Sequence, residues 1–229
     1  MALLEVKLDP VAKMRDTIDR SIDPVKAAVA AELAGVDAVS IRLTEEREEE
    51  RLRDLNILQE VVHSRLNLVI SSSKRLVDKA LSINSAIVTL DDELGLTDSK
   101  VASHMKEAIS VLKNNKNLAV AIRINPEVSD AKTASRLGAD YVELNTTRFA
   151  GTQNYHDRTL ELERIASVAR AAFKFDLGVS AGGGLNYQNA AYVAEIEQID
   201  TISIGGAIIS RAMLIGLENA VRDMIDLVK

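Results

Sequence analysis

The sequence predicts an α/β fold, a single closed (β/α)8 TIM barrel, on three observations. Short apolar, β-branched runs alternate with longer segments of helical periodicity. Eight such pairs can be counted, and the 229 residues then divide into units of about 29, the compact end of this fold. Glycine clusters follow the seventh and eighth runs, where a barrel places its phosphate site, while the first run leads into Lys7-Leu8-Asp9-Pro10 with no glycine. That last feature sets aside the competing doubly wound sheet, which wants a glycine-rich loop behind its first strand.

In chain order, strands are expected at Leu3 to Leu8, Ala38 to Leu43, Leu66 to Ile70, Ala86 to Leu90, Leu118 to Ile124, Tyr141 to Leu144, Gly178 to Ala181 and Thr201 to Ile204. Amphipathic helices are expected at Pro24 to Ala34, Glu50 to Val62, Ser99 to Lys113, Leu160 to Phe175 and Ala207 to Val228. Asp23 and Asn125 each place a capping side chain ahead of a proline at the first helical position. Gly35 and Gly138 occupy the left-handed cap in Leu33-Ala34-Gly35-Val36-Asp37 and Arg136-Leu137-Gly138-Ala139-Asp140, a weak internal repeat.

Lys and Arg number 28 against 34 acids, a net charge of -6, so the chain lacks the basic field that gathers nucleic acid or anionic lipid. An anionic substrate must be caught by a local site. The absence of cysteine excludes disulfides, a thiol nucleophile and thiolate metal ligation. The start, MALLEVKLDP, is too short and too soon charged for a secretory signal, and no apolar run approaches the ~18 residues needed to span a bilayer. These features point to a cytoplasmic protein without membrane or nucleic-acid partners. With no linker or low-complexity tract, residues 1–229 read as one domain.

In such a barrel the chemistry sits at the carboxyl ends of the strands. Two-residue alternation puts Lys7 with Asp9, Arg42 with Thr44, Arg123 with Asn125 and Glu143 with Asn145 on common faces. Charges are expensive to bury alone, so Lys7, Asp9, Arg42, Arg123 and Glu143 are expected to cluster at the mouth. The strongest local signal is Gly182-Gly183-Gly184 followed one unit later by Gly205-Gly206, glycines that let an anion approach peptide N–H groups at a helix start. His63, His104 and His156 read as surface residues, and Glu45 to Arg51 as a solvated helix start. Asp91-Asp92-Glu93 reads as an acidic helix start rather than a metal site. No metal and no cofactor are called for.

Taken together in order and spacing, the motifs resemble the pyridoxine 5′-phosphate synthases of vitamin B6 biosynthesis. The resemblance runs along nearly the whole chain. It is carried by Asp9, Asp23-Pro24-Val25, Ala31 to Asp37, Arg42-Leu43-Thr44-Glu45-Glu46-Arg47, Leu66-Asn67-Leu68, Val142-Glu143-Leu144-Asn145-Thr146, Ala181 to Tyr187 and Ile204 to Ala212. It implies a transferase that condenses 1-deoxy-D-xylulose 5-phosphate with an amino-oxopropyl phosphate, and a homo-oligomer. It also implies that Gly182, Gly183, Gly184, Gly205, Gly206 and Thr146 belong to a phosphate site.

The chain departs from that family where protons move. The first-strand Asn and His are Lys7 and Pro10, and the second-strand His is Arg42, with the following Arg replaced by Thr44. The third-strand Glu falls on Val69, and the two late histidines on Gly183 and Gly206. Valine and glycine carry no proton, and arginine does not release one in the usable pH range. The expectation is therefore a family-like barrel that binds a phosphorylated small metabolite, with Arg42 and Arg123 as added cations and with the family condensation impaired. Lys7, Asp9 and Glu143 are the remaining catalytic candidates, Lys7 as a Schiff-base amine of lowered pKa or as an ion-pair partner. A non-catalytic phosphometabolite sensor and a different sugar-phosphate aldolase or isomerase are the alternatives.

Overall fold

In the computed structural model of the chain, which describes residues 1–92, 95–96 and 98–229, eight parallel strands close into a barrel in sequential order. The strands are β1 (Leu3–Lys7), β2 (Ala38–Arg42), β3 (Arg65–Ile70), β4 (Ile87–Leu90), β5 (Ala119–Ile124), β6 (Tyr141–Asn145), β7 (Gly178–Gly182) and β8 (Thr201–Ile204). The helices are α1 (Asp9–Thr17), α2 (Pro24–Leu33), α3 (Glu48–Val61), α4 (Lys74–Ala80), α5 (Ser99–Leu112), α6 (Val128–Leu137), α7 (Thr147–Gly151), α8 (Tyr155–Lys174), α9 (Ala190–Ala194), α10 (Gly206–Ile215) and α11 (Leu217–Val228). No helix among the described residues is long and apolar enough to cross a membrane.

Alternation along each strand sorts its side chains into two sets. Leu4 and Val6, Val39 and Ile41, Leu68 and Ile70, Val88 and Leu90, Val120 and Ile122, Val142 and Leu144, and Ile202 and Ile204 are buried in the apolar layer beneath the helices. The other set, including Glu5, Lys7, Asn67, Thr89, Glu143 and Ser203, faces the lumen, where residues of neighbouring and of non-adjacent strands bond to one another. The lumen is therefore polar.

The internal repeat has a mechanical basis. Asp37 and Asp140, which close the two glycine-containing turns, accept the backbone N–H of Leu4 and Val120 at 2.9 Å, and Asp200 does the same for Val179 at 3.2 Å. Each aspartate ties the approach to one strand onto the strand before it. Gly35 and Gly138 hold φ values of 102° and 91°, the left-handed conformation their place after a helix requires. Asp23 caps α2 by accepting from Val25 N–H, as the Asp-Pro pair predicts.

Other expectations are corrected. Asn125 does not cap a helix: α6 begins at Val128, after a short turn in which Glu127 N–H donates to Asn125 O. The stretch Ala207 to Val228 is two helices, because Gly216 sits at φ 82° and breaks the ladder. His156 lies in the first turn of α8, which starts before Leu160, although all three histidines are exposed as expected. Glu45 to Arg51 is only partly solvated. Glu48 and Arg51 are buried, paired with Arg75 and Asp16, because α3 packs against its neighbours through ion pairs that also join Arg15 to the buried Asp54.

Candidate active site at the barrel mouth

A cavity of about 550 Å3 opens at the carboxyl ends of the strands, lined by Lys7, Asp9, Pro10, Arg123, Gly183 to Asn186 and Ser203 to Ala207. The two glycine clusters share this rim because β7 pairs with β8, Gly182 standing beside Ser203. Larger grooves lie elsewhere, on the outer face of α4 and α5 and around the chain termini. They bring together neither the strand ends nor the glycines.

On the glycine side, Gly183 and Gly184 adopt φ values of 120° and 72°, so the chain turns sharply where an L side chain would be strained. Gly205 precedes α10, a ten-residue helix whose start has no side-chain cap, and Gly205, Gly206 and Ala207 at that start line the cavity. Thr146 is buried, and its hydroxyl donates to Gly183 O at 2.7 Å, holding the loop from behind rather than facing the cavity. Gly182 also lies behind, where its missing side chain leaves room for the Glu143 carboxylate.

The loop is pinned at its far end by Tyr187, whose hydroxyl donates to Ala220 O at 2.6 Å and whose ring lies under Arg211, 4.8 Å from guanidinium carbon to ring centre. Burial pushes the Tyr187 phenol up to about 12, Arg211 pulling it down and Asp223 pushing it further up. A folded value above the unfolded one means that the stability tied to this group is complete below pH 10 and is lost as pH rises through about 12. Tyr187→Phe is expected to lower stability by about 1 kcal/mol near neutrality. It is also expected to flatten the alkaline loss, both read by urea unfolding across pH.

On the charged side, Lys7 Nζ donates to Glu143 Oε1 at 2.8 Å, and Arg123 Nη1 lies 3.5 Å from the same oxygen. Arg123 also lies 3.6 Å from Asp91 Oδ2, which pairs with Arg42 as well. Asp9 accepts the Arg42 backbone N–H at 2.6 Å. Glu143 is 2% exposed and the Lys7 side chain 15%, so this network is largely out of water. Burial, the largest single influence on Lys7, lowers its pKa, but the charges of Glu143 and Glu5 raise it, Arg123 opposes them, and the net direction is up. The expectation of a lowered lysine pKa is thus reversed, because two carboxylates face it.

The cations expected at the mouth are there, and they are paired. Lys7, Arg42 and Arg123 are matched by Asp9, Asp91 and Glu143, with Glu5 beneath. Asp91, read from the sequence as part of an acidic helix start, is the bridge between two arginines; Asp92 accepts the Ser72 N–H, and Glu93 lies outside the described residues. Arg42 lines a neighbouring cavity of about 300 Å3 with Asp9, Thr44, Arg47 and Arg51 rather than the glycine-rimmed one. Arg123 and Gly183 are complementary. A side chain at Gly183 would meet Thr147 Oγ1 at 2.8 Å, Asn145 Oδ1 at 3.0 Å and Arg123 Nη2 at 3.1 Å, so the guanidinium takes up the room that the glycine vacates.

The model of the family described as pyridoxal phosphate biosynthesis protein PdxJ matches residues 4–229. The chain belongs to that family. It is 39% identical over 238 residues to a pyridoxine 5′-phosphate synthase of Geobacter metallireducens, covering all of this chain and 99% of the relative. The corresponding synthase of Syntrophobacter fumaroxidans is 39% identical over 237 residues with the same coverage. Among solved structures, a 4-hydroxy-2-oxoglutarate aldolase/2-deydro-3-deoxyphosphogluconate aldolase from TTHB1 superposes with a TM-score of 0.63 at 17% identity, over 99% of this chain and 94% of that one. A native KDPGal structure gives 0.61 at 13% identity, over 99% and 93%. At those identities the likeness is one of fold.

Proposed function

We propose that this member of the pyridoxine 5′-phosphate synthase family binds a phosphorylated small metabolite at the glycine rim and carries out the condensation of its relatives far more slowly than they do. One observation carries the reading: Gly183, Gly184, Gly205, Gly206 and the start of α10 line one cavity together with Lys7 and Arg123, Lys7 lying against Gly205 and Arg123 against Gly183. Backbone N–H groups at a helix start offer partial positive charge without competing carboxylates, which matters here because the side-chain cations are already paired. Lys7 and Arg123 then meet the polar end of the ligand.

The slow reaction follows from which groups can move a proton. Arginine stays charged, Lys7 is held charged, and Val69, two residues beyond the inward-facing Asn67, is apolar. Asp9 at the cavity and Glu143 just beneath it are left for that role. Calorimetric titration tests the binding half. The expected result is that 1-deoxy-D-xylulose 5-phosphate binds at least about a hundredfold more tightly than unphosphorylated 1-deoxy-D-xylulose, two charge-assisted hydrogen bonds being worth about 3 kcal/mol or more. Equal affinities contradict the phosphate site.

A further inference from the structure

The lumen below the cavity holds a carboxylate that the ligand site as described does not use. Glu5 is 4% exposed. One of its oxygens accepts the Ser203 hydroxyl and the other accepts Asn67 Nδ2 at 2.9 Å, while Asn67 Oδ1 accepts Thr89 Oγ1 at 2.9 Å. A hydrogen-bonded chain therefore crosses the barrel from β8 through β1 and β3 to β4. A carboxylate so far from water is costly unless a cation stands near it. Lys7 is that cation, two residues along the same strand and on the same face.

We propose that Glu5 is a positioning residue that holds the Lys7 ammonium as a fixed cation at the floor of the cavity, so that Lys7 anchors an anionic ligand and does not attack a carbonyl. Part of this rests on the ligand site proposed above; the hold of Glu5 on Lys7 does not. The charged groups around Lys7 are Glu5 on β1, Glu143 on β6 and Arg123 on β5, with Asp9 on α1 and the Arg42–Asp91 pair across β2 and the end of β4 further out. Glu143 supplies the direct ion pair. Glu5 supplies the second negative neighbour, and its own geometry is locked by Ser203 and Asn67. With both carboxylates in place the amine keeps its proton, and a neutral, nucleophilic lysine is disfavoured.

Competitive acetylation tests this without any ligand. The full chain is treated with limiting acetic anhydride between about pH 7 and 11, bracketing the ordinary lysine range. Labelling of the Lys7 peptide is compared by mass spectrometry with that of the exposed Lys26 and Lys132. In the unaltered chain, half-maximal labelling of Lys7 is expected at higher pH than for the two exposed lysines. Glu5→Gln, which keeps side-chain shape and polar partners, is expected to move the Lys7 profile to lower pH and raise its labelling at pH 8 by roughly three- to tenfold. Glu5→Asp, which keeps the charge, is expected to leave the profile near that of the unaltered chain.

An unchanged profile in Glu5→Gln overturns the role, as does an equal rise in both variants, which would indicate loosened packing rather than lost charge. If Glu5→Gln does not fold, the unaltered chain decides: a Lys7 half-point at or below that of Lys26 overturns the role. Failure of phosphorylated ligands to bind, with labelling as expected, removes the ligand site and leaves the hold of Glu5 on Lys7 intact.

Discussion

Gly206→Val is expected to weaken binding of a phosphorylated ligand by about a hundredfold or more while leaving the melting temperature nearly unchanged. Gly206 is exposed at the first position of α10, and a Cβ built there has nothing within 4 Å, so the fold has room for the substitution. The anion does not, because the branched side chain would stand in the space in front of the helix start. Gly205→Val is the contrasting variant. A Cβ there would lie 2.9 Å from Lys7 Cβ and 3.0 Å from Lys7 O, against the backbone of β1. Overpacking of this kind costs about 1–3 kcal/mol, roughly 2–4 °C per kcal/mol in a chain of this size. Gly205→Val should therefore lose phosphorylated and unphosphorylated ligands together, and thermal melts alongside calorimetry separate the two cases. A Gly206→Val protein that binds the phosphorylated ligand normally would place the anion elsewhere.

Product formation from 1-deoxy-D-xylulose 5-phosphate and the amino-oxopropyl phosphate is expected to be at least about a hundredfold slower than for a family enzyme assayed beside it. A well-placed proton-transfer group contributes roughly 10² to 10⁴ in rate, and groups that act as a unit are not additive. Turnover within about tenfold of the control would show that Asp9, Glu143 or the substrate phosphate moves the protons. The two late glycines also differ in what they admit. Gly206→His is expected to fold, because that position is open. Gly183→His is expected to lose stability, because φ is 120° and the space is held by Thr147, Asn145 and Arg123; thermal melts of the two variants check the contrast.

The strands were legible because each is a short apolar, β-branched run set between longer segments of helical periodicity, a contrast that a local window detects. β8 lies at the expected Thr201 to Ile204, and the other strands differ by a residue or so at an end. Helices were less legible. α1 was hidden by Pro10, which reads as a break although a proline near a helix start is compatible with it. The break at Gly216 was hidden by an apolar periodicity that continues across it. At the site, the rim shared by the two glycine clusters followed from counting βα units. The charge balance did not, because Asp91 meets Arg42 and Arg123 only once β2, β4 and β5 have closed the barrel. Glu5 could have been found, since Glu5, Lys7 and Asp9 continue one alternation along and beyond β1. What the sequence could not show is that Ser203 and Asn67 would come to hold it from two other strands.

The central claim is that a phosphate is held by the peptide groups of the late glycines beside a fixed ion network. A crystal structure of the chain soaked with 1-deoxy-D-xylulose 5-phosphate tests it most directly. The expected result is a phosphate at about 2.7–3.2 Å from backbone nitrogens of the Gly183-Gly184 turn and the start of α10, with Lys7 still paired to Glu143. A phosphate lodged instead among Arg42, Arg47 and Arg51, or a sugar carbon joined to Lys7 Nζ, would contradict it.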